Sequence, residues 1–153
     1  MRRQLLALVV AMGFALPALA QELVLGLSYP KTGRYASLAA IDVDADIAVA
    51  EINAAGGVNG HKLRLDKFDT GSEARNAQLA VQHFAEDTSA LAIIGPLSSQ
   101  EAQVAFAASE RLEIVQISYS ATAPGLATGK KWAWRVVMDE GKQFGRASCR
   151  ERV

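Results

Sequence analysis

Apolar and polar positions along this chain change rhythm several times, and each change marks an element. Leu23 to Ser28 (LVLGLS) is a short apolar run that predicts a first strand. Tyr29-Pro30-Lys31-Thr32-Gly33 punctuates it as a loop. From Ser37 to Ala55 the spacing becomes helical, with Leu38, Ile41, Ala45, Ala48 and Ile52 on one stripe expected to be buried. Gly56-Gly57 closes that helix as a glycine C-cap, and Asn59-Gly60 is a tight-turn pair. His61 to Asp69 (HKLRLDKFD) alternates, which predicts a half-exposed strand near a sheet edge. A second helix is expected from Glu73 to Glu86, capped by Thr70 or Ser72, with Ala77, Ala80, Val81 and Phe84 facing inward.

Leu91 to Ile94 is a continuous apolar run, the pattern of a strand covered on both faces. Gly95-Pro96 turns the chain. Ser98-Ser99-Gln100-Glu101 then fits a capping box, with Ser98 as N-cap of a helix reaching about Arg111. Ile114 to Ser118 reads as a fourth strand, Tyr119 to Lys130 as a loop, and Trp132 to Val137 as a fifth strand. The order β-α-β-α-β-α-β-loop-β implies an α/β fold with a doubly wound parallel sheet.

The two ends fall outside this pattern. Arg2-Arg3, the apolar stretch Leu5 to Leu16 and Ala18-Leu19-Ala20 form a cleavable secretory signal over residues 1–20, which makes Gln21 the first mature residue. Gly145 to Val153 (GRASCRERV) has no apolar periodicity and holds the only Cys. It resembles the in-frame translation of a sequencing adapter, and a non-native tail is expected there. Half of the residues are apolar, so an exported chain without disulfides has the means to pack a core. Residues 21–144 carry 11 Lys and Arg against 15 Asp and Glu, a net −4 that argues against nucleic acid.

Several catalytic look-alikes fail on geometry. Ser28-Tyr29-Pro30-Lys31 and Lys31-Thr32-Gly33 spell the two motifs of penicillin-recognising enzymes, yet share one lysine where two elements are needed. Asp42, Asp44 and Asp46 resemble the start of a calcium loop, but Ile47 stands where that loop needs Gly. They read as a solvated acidic face. His61 and His83 lack a metal-ligand pattern and read as surface or helix-face residues, so neither a metal nor a cofactor is expected. Trp132 and Trp134 are assigned to core or interlobe packing. What survives is the helix mouth at Ser98 and Ser99. Unpaired N–H groups and a hydroxyl there suit a small anion, beyond the carboxyl end of a strand where open α/β sheets bind ligands. The plain alternative is that both serines only cap the helix.

Four stretches carry a family likeness: Pro30 to Ala36 (PKTGRYA), Ala50 to Gly60 (AEINAAGGVNG), Gly95 to Ser99 (GPLSS) and Ile117 to Pro124 (ISYSATAP). On them the chain resembles the periplasmic substrate-binding proteins of branched-chain amino acid ABC transporters, the leucine/isoleucine/valine-binding type. The resemblance implies two α/β lobes closing on a solute, with residues 21–144 as part of the N-terminal lobe. It places Ser99 where the ligand's α-carboxylate is held, Ala121 and Thr122 where backbone and hydroxyl meet the carboxylate and amino group, and Tyr35 at the pocket border. Ser98 joins them as a neighbouring hydroxyl. Asp44 stands where the family usually has Gly, and Ser118-Tyr119 where it has Ser-Pro. The implied protein is a periplasmic monomer, not an enzyme. It would hand a small amino-acid-like ligand to permease subunits in the inner membrane. A ligand-sensing receptor domain of the same fold and an α/β hydrolase using Ser99 are the alternatives.

Overall fold

The computed structural model describes residues 22–141; the expected leader and the 145–153 tail lie outside them. Five strands, β1 (Leu23–Tyr29), β2 (Leu63–Asp69), β3 (Ala92–Ile94), β4 (Val115–Ser118) and β5 (Ala133–Arg135), form one sheet in the order β2-β1-β3-β4-β5. Every neighbouring pair is parallel. Three α-helices connect them: α1 (Ile41–Ala54), α2 (Ala74–Gln82) and α3 (Ser99–Leu112). This is the expected doubly wound α/β sheet, with β2 at an edge.

The main core lies between the sheet and the α2/α3 pair. The predicted stripe is there in full: Ala77, Ala80 and Val81 of α2, and Phe84 of the π-helical turn His83–Asp87 that continues it, are buried with Ile93 of β3 and Ala105 and Ala108 of α3. Gly26 leaves the space that Phe84 fills. A Cβ on Gly26 would stand 2.6 Å from the Phe84 ring. A second, smaller cluster joins Ala102 and Phe106 of α3 to Ala121 and to Ala133 of β5.

Several expectations are corrected. Neither Thr70 nor Ser72 caps α2. Its N-cap is Glu73, which makes no side-chain cap bond. Ser72 has a positive φ, and its hydroxyl turns back to the first loop. The helix expected from Ser37 is broken: a 3-10 turn at Ala36–Leu38 precedes α1, and no α1 residue is fully buried. Leu38 is 56% exposed and Ala48 and Ile52 are also exposed, because α1 meets the sheet through Ile41, Ala45, Val49 and Asn53 instead. Asn53 fixes that choice: its side chain donates to Leu63 O (2.8 Å) and accepts from Leu63 N–H (2.7 Å). Lys67 of β2 adds to it by pairing with both Asp42 and Asp46, so the acidic face is not simply solvated.

Another correction concerns coverage. α2 and α3 cover one sheet face, while α1 lies over β1 and β2 on the other. Ile93 is therefore buried, but Ala92 and Ile94 are only half-buried, and Trp134 is 56% exposed, which removes the core alternative and leaves the interlobe one untested. The fifth strand is also shorter than expected. Glu110 of α3 anchors its start by accepting the N–H groups of Lys131, Trp132 and Ala133.

Candidate functional site

Parallel strands deliver their carboxyl ends to one edge, and three connecting loops meet there. The loop after β3 is set by Gly95, whose φ is +113° and whose Cβ would stand 2.1 Å from Ser28 O; only glycine fits. The Gly95-Pro96 peptide is cis. The capping box then closes as expected. The Ser98 hydroxyl donates to Glu101 Oε2 (2.6 Å) and accepts from Glu101 N–H (3.3 Å), and Ser98 N–H donates to the same carboxylate (3.1 Å). The N–H groups of Ser99 and Gln100, in the first turn of α3, have no intrahelical acceptor.

The loop after β4 is tied to the first by Ser118. Its buried hydroxyl donates to Pro96 O (2.8 Å) and accepts from Ala121 N–H (3.1 Å). Ser99 Oγ accepts from Ala123 N–H (3.1 Å), which leaves the hydroxyl hydrogen of Ser99 for another acceptor. Thr122 Oγ1 donates to Glu140 Oε1 (2.6 Å), while Glu140 N–H donates to Thr122 O (3.0 Å).

The loop after β1 is braced by Asp69, which accepts from the N–H (3.1 Å) and hydroxyl (2.7 Å) of Thr32 and from Gly71 N–H (2.9 Å). Burial alone would raise the Asp69 carboxyl. The Gly71 N–H and the two Thr32 donors outweigh it and hold the group below the usual aspartate range. Tyr35 follows, its N–H donating to Ser72 Oγ (3.1 Å) and its ring lying 4.8 Å from the Arg34 guanidinium. Arg34 also donates to the Gln100 side chain and so joins this loop to the mouth of α3.

Four of the five sequence-predicted site residues share one place. Tyr35, Ser98, Ser99 and Thr122 line a single open depression of about 350 Å³, together with Leu97, Gln100 and Ser120. Ser99 and Gln100 also border a second, adjoining depression of about 440 Å³ closed by Ala123, Pro124 and Lys130. The fifth residue, Ala121, packs its methyl into the small α3 cluster, and its N–H is already given to Ser118. Ser98 is likewise occupied by the capping box. Thr122 also lines the depression, but its hydroxyl hydrogen is given to Glu140, so the free hydrogen-bonding capacity rests on Ser99 and the first turn of α3.

Sequence reading missed Ser118, Glu140 and the Arg34–Gln100 link. Each acts across a long separation in sequence, and none belongs to a local motif. Tyr119, beside Ser118, has its hydroxyl buried; burial first, and then the Glu101 carboxylate, push its ionisation well above the usual phenol range. Among the described residues no group of three or more His, Cys, Asp or Glu is placed to hold a metal ion. The arrangement offers neutral donors and the positive end of a helix to a small carboxylate.

Comparison with known proteins bears on the fold and the family. The family model described as "Periplasmic binding protein" matches residues 22–147. An amino acid binding protein of Pseudomonas aeruginosa is 33% identical over 126 residues, 80% of this chain and 33% of that protein. The Leu/Ile/Val-binding protein of Escherichia coli K12 is 33% identical over 125 residues, 81% of this chain and 34% of that protein. Among solved structures, the branched-chain amino acid transporter substrate binding protein LivJ from Streptococcus pneumoniae, in complex with isoleucine, superposes with a TM-score of 0.76 at 27% identity, covering 78% of this chain and 35% of that one. An ABC transporter substrate-binding protein from Desulfitobacterium hafniense, complexed with Leu, gives 0.74 at 27% identity, covering 86% and 40%. The chain spans about a third of the length of the curated relatives it matches. It belongs to the periplasmic binding protein family.

Proposed function

We propose that this family member is the front lobe of a solute-binding component of an ABC importer, taking a branched-chain or related amino acid, or an amide-like solute, and delivering it to permease subunits in the inner membrane. The observation that carries this reading is the convergence of Ser99, Thr122 and Tyr35 on one open depression at the carboxyl edge of the sheet. A zwitterion's carboxylate suits the N–H groups and hydroxyl at the mouth of α3, whose dipole favours negative charge. The depression is open, as half of a cleft would be, and a second lobe would close it. The protein acts in the periplasm, as a monomer, after removal of residues 1–20, and residues 145–153 have no part in it. No catalytic step is assigned. Among the described residues Ser99 Oγ is paired with the Ala123 N–H and not with a side-chain base.

The test is a thermal-shift panel of amino acids, short amides, urea and aromatic acids on a protein carrying both lobes. A rise in Tm with branched-chain amino acids is expected. A flat response across the whole panel would refute the reading, and turnover of an ester substrate would favour a hydrolase.

A further inference from the structure

Beyond the residues that border the depression, one side chain governs the loop that carries Thr122. Arg135, at the end of β5, is 12% exposed and lies under that loop. Its Nη1 donates to Ala123 O at 2.8 Å and points to Ala121 O at 3.5 Å. Its Nη2 donates to Asp139 Oδ2 at 2.6 Å. Asp139, itself 16% exposed, accepts from Gly125 N–H (3.3 Å) and Gly141 N–H (2.9 Å) as well. One guanidinium therefore holds the carbonyls on both sides of Thr122, and its carboxylate partner holds the far end of the same loop.

We propose that Arg135 is the positioning residue of this loop, setting where Thr122 stands relative to Ser99, with Asp139 orienting the guanidinium. The proposal rests on reading the Thr122 depression as a solute site. Two carbonyl oxygens turned toward one point are held there by a shared donor. A planar fork of donors can meet both oxygens and a carboxylate, which a single ammonium cannot do in the same geometry. The pair with Asp139 leaves the clamp neutral, so it fixes the loop without competing for a charged solute. Ala121 is independently packed against Phe106, so the backbone at 121 has a second anchor and Ala123 to Gly125 depend more on Arg135.

The experiment is residue-resolved amide exchange by NMR on the full chain, comparing wild type, Arg135→Ala and Arg135→Lys. In Arg135→Ala the amides of Ala123 and Gly125 should exchange about tenfold faster or more, the scale of one lost hydrogen bond to a charged group. The amides of Ile93 and Phe106 should keep their protection. Millimolar guanidinium should restore the loop amides, while equimolar sodium chloride should not, and Arg135→Lys should fall between. Unchanged loop amides, or acceleration spread equally over loop and core, would overturn the proposal, the second by reducing Arg135 to general stability. If Arg135→Ala does not fold, Arg135→Lys decides by the same criterion. A solute titration on a two-lobe protein separates the two layers. Local loosening with at least tenfold weaker binding supports both. A wild-type protein that binds nothing on the panel removes the solute reading and leaves the clamp to the exchange data.

Discussion

The contact between Gly26 and Phe84 allows the core to be tested quantitatively. Gly26 lies mid-strand in β1, and its φ is not in the left-handed region, so an alanine there meets no backbone objection. The objection is steric. A Cβ would stand 2.6, 2.7 and 2.8 Å from Cγ, Cδ2 and Cδ1 of Phe84. The ring is 0% exposed and is held by Val81, Ile93 and Ala105, so it has no solvent side to swing into. Gly26→Ala should therefore cost about 1–3 kcal/mol, the range for an overpacked core. Phe84→Ala alone should cost about 3–5 kcal/mol through lost burial and the cavity left behind. In the double variant the new methyl occupies part of the vacated space. The pair should then be less destabilised than the sum of the singles, with a favourable coupling of about 0.5–3 kcal/mol. Domains are stable by about 5–15 kcal/mol, so Phe84→Leu offers a gentler cycle if the alanine variant unfolds. The measurement is urea unfolding followed by circular dichroism, with slopes compared so that changes in midpoint report stability. Additivity within about 0.3–0.5 kcal/mol would show that the ring does not rest on Gly26, and the packing described for β1 against Phe84 would be wrong.

Other outcomes follow from the same coordinates. In a protein with both lobes, Ser99→Ala should weaken solute binding by about 1.5–3 kcal/mol in calorimetry, the range for hydrogen bonds to charged groups; an unchanged affinity would leave Ser99 with its bond to Ala123 alone. Residues 21–153 without a second lobe should show no micromolar leucine binding by calorimetry, and a clear isotherm at that level would contradict the half-cleft reading. The Asp69 carboxyl is held below its ordinary value of about 3.9, so its contribution is full above that value and is lost as pH falls through the lower folded one. Asp69→Asn should therefore flatten the acid limb of a stability–pH profile, and an unaltered limb would mean the Thr32 and Gly71 bonds are not made in solution. Gly95→Ala should prevent folding, given Ser28 O at 2.1 Å, whereas Gly56→Ala, with open space around it, should cost only about 1 kcal/mol for its positive φ; equal melting temperatures for the two would refute the contrast.

The elements that were legible in the sequence are those whose partners lie close along the chain. The Ser98–Glu101 box spans three residues, and the Ala77, Ala80, Val81 and Phe84 stripe belongs to one helical stretch. The α1 stripe was misjudged because two adjacent helical rows are both apolar. The choice between them is made by Asn53 and Asp42, polar residues that bind β2. Between the two places assigned to Trp134, core or interlobe packing, the sequence could not choose, because strand alternation does not say which sheet face a helix covers. At the candidate site, Ser99, Thr122 and Tyr35 were singled out through the family likeness together with the helix-mouth argument, and they line one depression. Ser118, Glu140 and Arg135 were not, because their partners are 22, 18 and 12 residues away and no short pattern links them. Sequence reading also could not tell that Ser98 and Ala121 spend their donors internally.

Because every strand runs the same way, all three loops that the proposed function turns toward a solute sit on one rim, while the Phe84 cluster that holds the slab together lies beneath it. Chemical taste and mechanical integrity are thus assigned to different residues. On that proposal, a lineage built on this plan is free to retune the rim by exchanging a few loop side chains, without renegotiating the slab.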